Sequence, residues 1–245
     1  MKRVTPVFIR EFTNYLNTPL GFIYIDVFIL ITGFFFFELF KYFANDQASL
    51  RNLFTLLPWV YLFFIPAISM RLLAEEKKVG TVEMLMTLPL RDWEVVLAKF
   101  FASFLFLSVA LLLTLPLAWI VSRSAADVVV LDYGPIIGGY VGAILMGGAF
   151  LSVGLFFSSI TDNQIVAFIL SVVTMAVFLL IGIPDVVGYF PPVLHTFILK
   201  ISLSSHFQSI GRGVIDSRDI IYYLSVIFLF IFLTIRSVES RKWKG

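Results

Sequence analysis

The chain offers few residues that could break or make bonds. It has no cysteine, which removes disulfides, thiolate metal sites and thiol nucleophiles together, and its two histidines, His195 and His206, belong to no H-E-x-x-H pattern. No G-x-S-x-G elbow and no G-x-x-x-x-G-K-[ST] phosphate loop occurs, so energy from nucleotide must come from another polypeptide. Each histidine reads as structural or interfacial, since no set of partner residues surrounds it; with Asp185 the two also form a candidate outer gate. The residues with most chemical content are the charged ones of "RLLAEEKKVGTVEMLMTLPLRDWEVVLAK", Arg71 to Lys99. There Thr81 follows Gly80 and can cap a short helix, Val82 to Leu88, that Pro89 ends. Val82, Leu85 and Met86 share one face of this peg, Glu83 and Thr87 lie on another, and Glu75, Glu76, Lys77 and Lys78 surround its entry. Asp92 is then expected to cap the next helix and Trp93 to sit at a membrane interface. The plain alternative is a solvated loop, but a helix connection needs only about two to eight residues. The pattern suits a docking element for a partner with a groove for Val82, Leu85 and Met86, and its chemistry is force transmission.

The elements that position this device are membrane helices. The 245 residues are 60% hydrophobic and 14% charged, against roughly 25% charged in a soluble domain, and the mean hydropathy is +0.97. The chain reads as an all-α integral membrane protein with 28 Phe to meet lipid, and a net charge of +2 without a basic run gives no sign of nucleic-acid binding. A bilayer core needs about 20 apolar helical residues. Six segments qualify: 20–40, 53–70, 100–121, 136–160, 164–183 and 220–235, the last being short. No secretory leader is read at the N-terminus, because the first apolar run is of full span length without a small-residue cleavage site. Of the 18 Lys and Arg, about twelve fall on the side holding both termini and residues 71–99, which predicts that this side is cytoplasmic.

Two segments are neither spans nor plain loops. Residues 4–17, "VTPVFIREFTNYLN", place Val7, Phe8, Phe12, Tyr15 and Leu16 along one side, with Arg10, Glu11, Asn14 and Asn17 mostly elsewhere. This predicts an amphipathic interfacial helix ended by Thr18-Pro19. Residues 184–219 form an extracytoplasmic insertion whose apolar run, Val193–Leu203, is too short to cross and predicts an outer helix or re-entrant pair.

Within the spans, Gly139, Ala143 and Gly147 repeat every four residues, a spacing that lets helices approach closely inside the subunit, with dimer contact or pore lining as alternatives. Asp26 lies in the first span, where a charge at the bilayer centre costs about 2.5–3.5 kcal/mol. It is a candidate contact in a pathway or subunit interface, or else an interfacial anchor. Pro66 and Pro116 mark possible kinks.

"RLLAEEKKVGTVEMLMTLPL" resembles the segment after the second span in ABC-2-type permeases, the membrane subunits of ATP-binding-cassette transporters. The resemblance runs over essentially the whole chain, through the helix before the first span, "FFSSITDNQIVAF" between the fourth and fifth, and the outer insertion. "LSSHFQSIGRGVIDSRDIIYYLSV" and the final "RSVESRKWKG" are similar to the narrower group of gliding-motility-associated permeases. The resemblance implies a type V exporter half with an elbow helix, a cytoplasmic coupling helix and outer re-entrant helices. It implies a homodimer or heterodimer with a second permease in a bacterial inner membrane, with a separate ABC ATPase bound beneath each copy. Glu75, Glu76, Gly80, Thr81 and Glu83 would mark the main coupling helix, and Thr161, Asp162 and Asn163 a second, smaller contact. ATP and Mg would be held by the partner ATPase, with no cofactor on this chain. The alternative is a membrane anchor that couples ATPase motion to a surface-motility or secretion machine without moving a solute.

Overall fold

The structure is a computed structural model that describes residues 4–39, 50–79, 91–124, 133–214 and 216–241. Among the described residues all regular structure is helical. Helix α1 spans Val4–Asn17 and α2 Pro19–Phe34, continued by a π-helical turn, Phe35–Leu39. Then come α3 (Arg51–Ser69), α4 (Arg71–Val79), α5 (Asp92–Leu112), α6 (Leu115–Ser124), α7 (Tyr133–Ile160) and α8 (Gln164–Leu180). Three short helices, α9 (Pro184–Val187), α10 (Pro192–Ile201) and α11 (Leu203–Gly211), precede the last, α12 (Ser217–Arg241). Five described helices are long and apolar enough to cross a membrane: 19–37, 52–79, 92–117, 133–160 and 217–240. The apolar helix α8, at 17 residues, is at the lower edge of spanning length.

Helix α7 is the hub, with α3, α4, α5, α8, α11 and α12 all packed against it. Small residues make this possible. A Cβ on Gly139 would lie 2.3 Å from the Phe54 ring, one on Gly147 2.7 Å from Leu107 Cδ2, and one on Gly138 2.4 Å from the Ile210 carbonyl oxygen. Ala143, between them, is fully buried. The glycine and alanine positions are filled from within the chain, by α3, α5 and the outer helices.

Punctuation along the chain follows side-chain chemistry. Pro19 starts α2 where its missing N–H costs no intrahelical bond, and Gly21 in the next turn is needed because a Cβ there would meet the Tyr15 carbonyl oxygen. Pro58 and Pro66 lie inside α3, whereas Pro116 falls in the first turn of α6, after the chain breaks at Leu113-Thr114. Thr114 closes that break by donating to the Leu111 carbonyl at 2.7 Å and pairing with the Tyr140 hydroxyl at 3.0 Å. The expected cap of α5 shifts by one residue: Arg91 holds the N-cap position and Asp92 begins the helix. Arg91 donates its backbone N–H to Glu94 Oε2 at 2.9 Å, which is the reciprocal half of a capping box.

Helix α1 also departs from its sequence reading in one respect. Its half-buried positions are Val4, Val7, Phe8, Glu11, Phe12 and Tyr15, so the inward face includes a carboxylate, while Leu16 and Ile9 are exposed. That face meets α5, with Tyr15 stacked on Phe106 at 4.7 Å between ring centroids.

At the opposite end of the bundle, α10 and α11 form a helical hairpin broken at Ser202, whose hydroxyl accepts from Ser205 N–H at 3.3 Å. The hairpin is tied to α12. Tyr222 donates to the Ile201 carbonyl, Tyr223 to the Leu203 carbonyl at 2.8 Å, and His206 Nδ1 lies 2.6 Å from Asp219 Oδ1. Gly213 makes the return turn with φ of +88°, where a side chain would also press on Gly134 and Pro135.

Candidate functional site

Charged side chains concentrate at the end of the bundle where α1, α4, the start of α5 and the end of α7 meet. Two buried lysines organise it. Lys77, on α4, has a side chain 6% exposed and donates to the carbonyl oxygens of Ser158 (3.4 Å), Ser159 and Thr161 (3.3 Å). The first two are terminal carbonyls of α7 and the third follows just beyond its end, where a helix leaves its last acceptors unpaired and carries partial negative charge. An ammonium there satisfies two terminal carbonyls and the next turn's carbonyl at once, and Asp162 Oδ1 stands 4.0 Å away.

Ser158 makes the reverse connection. Its hydroxyl accepts from the N–H groups of Leu73 and Ala74, each at 3.0 Å, and donates to the Met70 carbonyl at 3.0 Å. The first turn of α4 follows a break after Ser69, so its amide groups lack partners along the chain. A hydroxyl more than eighty residues away supplies them. Ser69 itself seats against Gly154, where any Cβ would collide with its hydroxyl, and Ser237 of α12 donates to the Ser159 carbonyl at 3.2 Å.

Lys99 is the second lock. It is 2% exposed on α5 and pairs with Glu76 of α4 at 2.6 Å and Glu11 of α1 at 3.1 Å. One cation thus holds three helices. Ser103, one turn on, donates to the Lys99 carbonyl at 2.8 Å and receives the Tyr15 hydroxyl at 3.0 Å. Burial raises the Tyr15 phenol well above its ordinary range, against the lowering effect of the Ser103 bond, so it stays a donor.

The residues singled out from sequence are distributed as follows. Glu75 is exposed on α4, and Glu76 is drawn into the Lys99 lock. Gly80, Thr81, Val82, Glu83, Leu85 and Met86 lie outside the described residues. Thr161 donates to the Phe157 carbonyl at 3.2 Å, Asp162 is exposed, and Asn163 caps α8 by accepting from Ile165 N–H at 2.9 Å. Asp26 is exposed on α2 beside the exposed Phe22, Ile23 and Val27. His195 Nε2 is 2.8 Å from the Phe190 carbonyl, while His206 is occupied by Asp219 and the Lys200 carbonyl (3.1 Å). Among the described residues no group of three or more His, Cys, Asp or Glu is arranged for a metal ion.

Sequence reasoning passed over Glu11, Lys77, Lys99 and Ser158 as site residues. A signal existed for Lys99: it stands in "VVLAKFFASF", and a lysine in an apolar run requires a counter-charge.

Fold and site together define a multi-pass helical membrane protein with an ion-paired platform at one end. The family model described as ABC-2 family transporter protein matches residues 41–235, and the chain belongs to that family. It is a membrane permease component of an ABC transporter, and membership implies a partner ABC ATPase and a membrane setting. No curated protein matches the chain.

Proposed function

We propose that the chain is the six-span membrane half of an exporter, with both termini and the α4 end in the cytoplasm of a bacterial inner membrane. It pairs with a second permease, the same or different, and a separate ATPase docks under each copy. The peg at Val82–Leu88 is the main contact, flanked by Glu75, Glu76, Gly80, Thr81 and Glu83, and the turn Thr161-Asp162-Asn163 is the second. The observation that carries this reading is the Lys77 lock. Lys77 ties α4, which ends one residue before Gly80, to the carbonyls around the second turn, so α4 and that turn share one base at the foot of α7. A push on either is then felt by the central helix. The Lys99 lock adds α1, which acts as the elbow at the membrane surface, and the concentration of Lys and Arg at this end supports its cytoplasmic placement. Asp26, exposed among apolar residues of α2, suits the subunit interface or the pathway, since lipid alone would leave its charge without a partner. The narrower likeness to gliding-motility permeases points to a surface-directed cargo or machine.

The docking experiment is Leu85→Asp, with the ATPase co-purified in mild detergent. Loss of the ATPase with normal membrane insertion is expected; retention of wild-type binding would show that the peg is an ordinary loop.

A further inference from the structure

We propose that the α4 end carries a binding site for the headgroup of an amine-bearing zwitterionic phospholipid of the phosphatidylethanolamine class. A cavity of about 310 Å³ opens between α1, the start of α2 and the α3–α4 junction, with Arg10, Asn14, Tyr24, Arg71 and Glu75 among its lining residues. Its size is at the low end of the roughly 300–1,000 Å³ of ligand pockets and fits a headgroup rather than a whole lipid.

The charges in the lining are only partly used up by one another: Glu11 and Glu76 share one ammonium, and Arg10 acts on Glu76 without an ion pair. Lys99 is consumed by Glu11 and Glu76. Arg10, Arg71 and Glu75 make no ion pair among the described residues, although Arg71 and Glu75 stand one turn apart on α4, a spacing at which opposite charges ordinarily meet. Arg71 Nε is buried and has no hydrogen-bond partner. Guanidinium groups in the lining of a cavity are suited to a phosphate, which accepts from both forks. The unpaired carboxylate beside them asks for a hydrogen-bonding cation on the same molecule, and a primary ammonium supplies three donors where a trimethylammonium supplies none.

Position fixes the source of that phosphate. Leu20 lines the cavity and is 44% exposed, and it continues into the exposed Phe22 and Ile23 of α2, with Leu16 and Ile9 of α1 exposed nearby. The polar cavity therefore opens onto bare apolar surface, as a molecule with a charged head and acyl tails requires. A free phosphate or a soluble phosphoamine would leave that surface unused. This site shares Glu75 with the ATPase contact of the proposed function, so the lipid preference of the wild-type chain, and not a Glu75 variant, decides the proposal.

The test uses the permease–ATPase complex, delipidated in mild detergent and titrated with short-chain phosphatidylethanolamine, phosphatidylcholine and phosphatidylglycerol, with bound lipid counted by native mass spectrometry. Phosphatidylethanolamine is expected to bind at least ten-fold more tightly than phosphatidylcholine, and glycerophosphoethanolamine without acyl chains at least ten-fold more weakly than the lipid. Arg71→Gln should lower retention of both phosphatidylethanolamine and phosphatidylglycerol, whereas Glu75→Gln should lower only the former. Equal binding of the ethanolamine and choline lipids to the wild-type complex overturns the proposal without recourse to any variant. So does a preference for phosphatidylglycerol, or tight binding of the soluble headgroup alone.

Discussion

Replacing Lys99 by Met tests the lock that joins α1, α4 and α5. The substitution keeps most of the side-chain volume and removes the charge, leaving Glu11 and Glu76 facing each other with side chains about one-fifth exposed (19% and 21%). Removing one partner of a buried ion pair costs about 3–5 kcal/mol, and a surface pair about 0–1 kcal/mol. With the lysine buried and the carboxylates partly wet, the expected loss lies at the lower end of the buried range, about 3 kcal/mol. For a chain of this size that is a fall in Tm of about 6–12 °C. Because α1 buries no residue fully, part of the loss should appear as local release of this helix. The cysteine-free sequence allows a clean readout: Phe8→Cys with Phe101→Cys, two positions lining one cavity between α1 and α5, should cross-link through a short bismaleimide in the parent and much less after Lys99→Met. The triple variant Lys99→Met, Glu11→Gln, Glu76→Gln removes the stranded charges and should recover all but about 1 kcal/mol. A single variant within about 2 °C of the parent, or a triple variant no better than the single, would refute the electrostatic account.

Lys77→Met should strip the carbonyls at the end of α7 of their cation, at a cost of about 2 kcal/mol for bonds to a charged donor, and should loosen the joint between α4 and the Thr161-Asp162-Asn163 turn. Its functional sign is ATPase activity in the complex that no longer responds to the permease, with assembly intact; an unchanged response would show that force does not pass through this joint. Gly138→Ala should be the costlier of two glycine substitutions, about 3 kcal/mol in thermal unfolding, because its neighbour is the Ile210 backbone carbonyl. Gly147→Ala should cost about 1 kcal/mol, since the Leu107 methyl it meets can rotate aside, and a reversed order would show that the α7 contacts are looser than described.

The all-helical, multi-pass class was legible in the sequence because long apolar runs have no other solution in lipid, and the family was legible in the charged segment after the second of them. Helix ends were less so. Asp92 looked like a cap by residue type, yet Glu94 does that work from inside the helix, through a reciprocal bond that residue preference alone does not locate. Glu11 was assigned to the polar side of α1 because periodicity sorts residues by polarity and has no term for a counter-charge 88 residues away. Ser158 was invisible for a related reason. Its hydroxyl bonds to backbone amide groups of α4, and any residue type but proline at Leu73 and Ala74 would present the same donors. The peg itself, at Val82–Leu88, rests on its sequence pattern and lies outside the described residues.

The placement of α7 as hub also sets an order of events during synthesis. The Lys99 lock needs nothing beyond residue 99, so Glu11 and Glu76 can close on it before the ribosome has made α7. Lys77 must wait for Ser158 to Thr161, about 60 residues later, an interval of roughly 3–12 s at bacterial elongation speeds. Until then α3 lacks the glycine-lined surface on which Phe54 and Tyr61 come to rest, and aromatic faces destined for the interior stand open to lipid or to an insertase. The nascent chain is thus fastened first at its polar base and only later around its axis, and a ribosome pause between α5 and α7 would hold it half assembled.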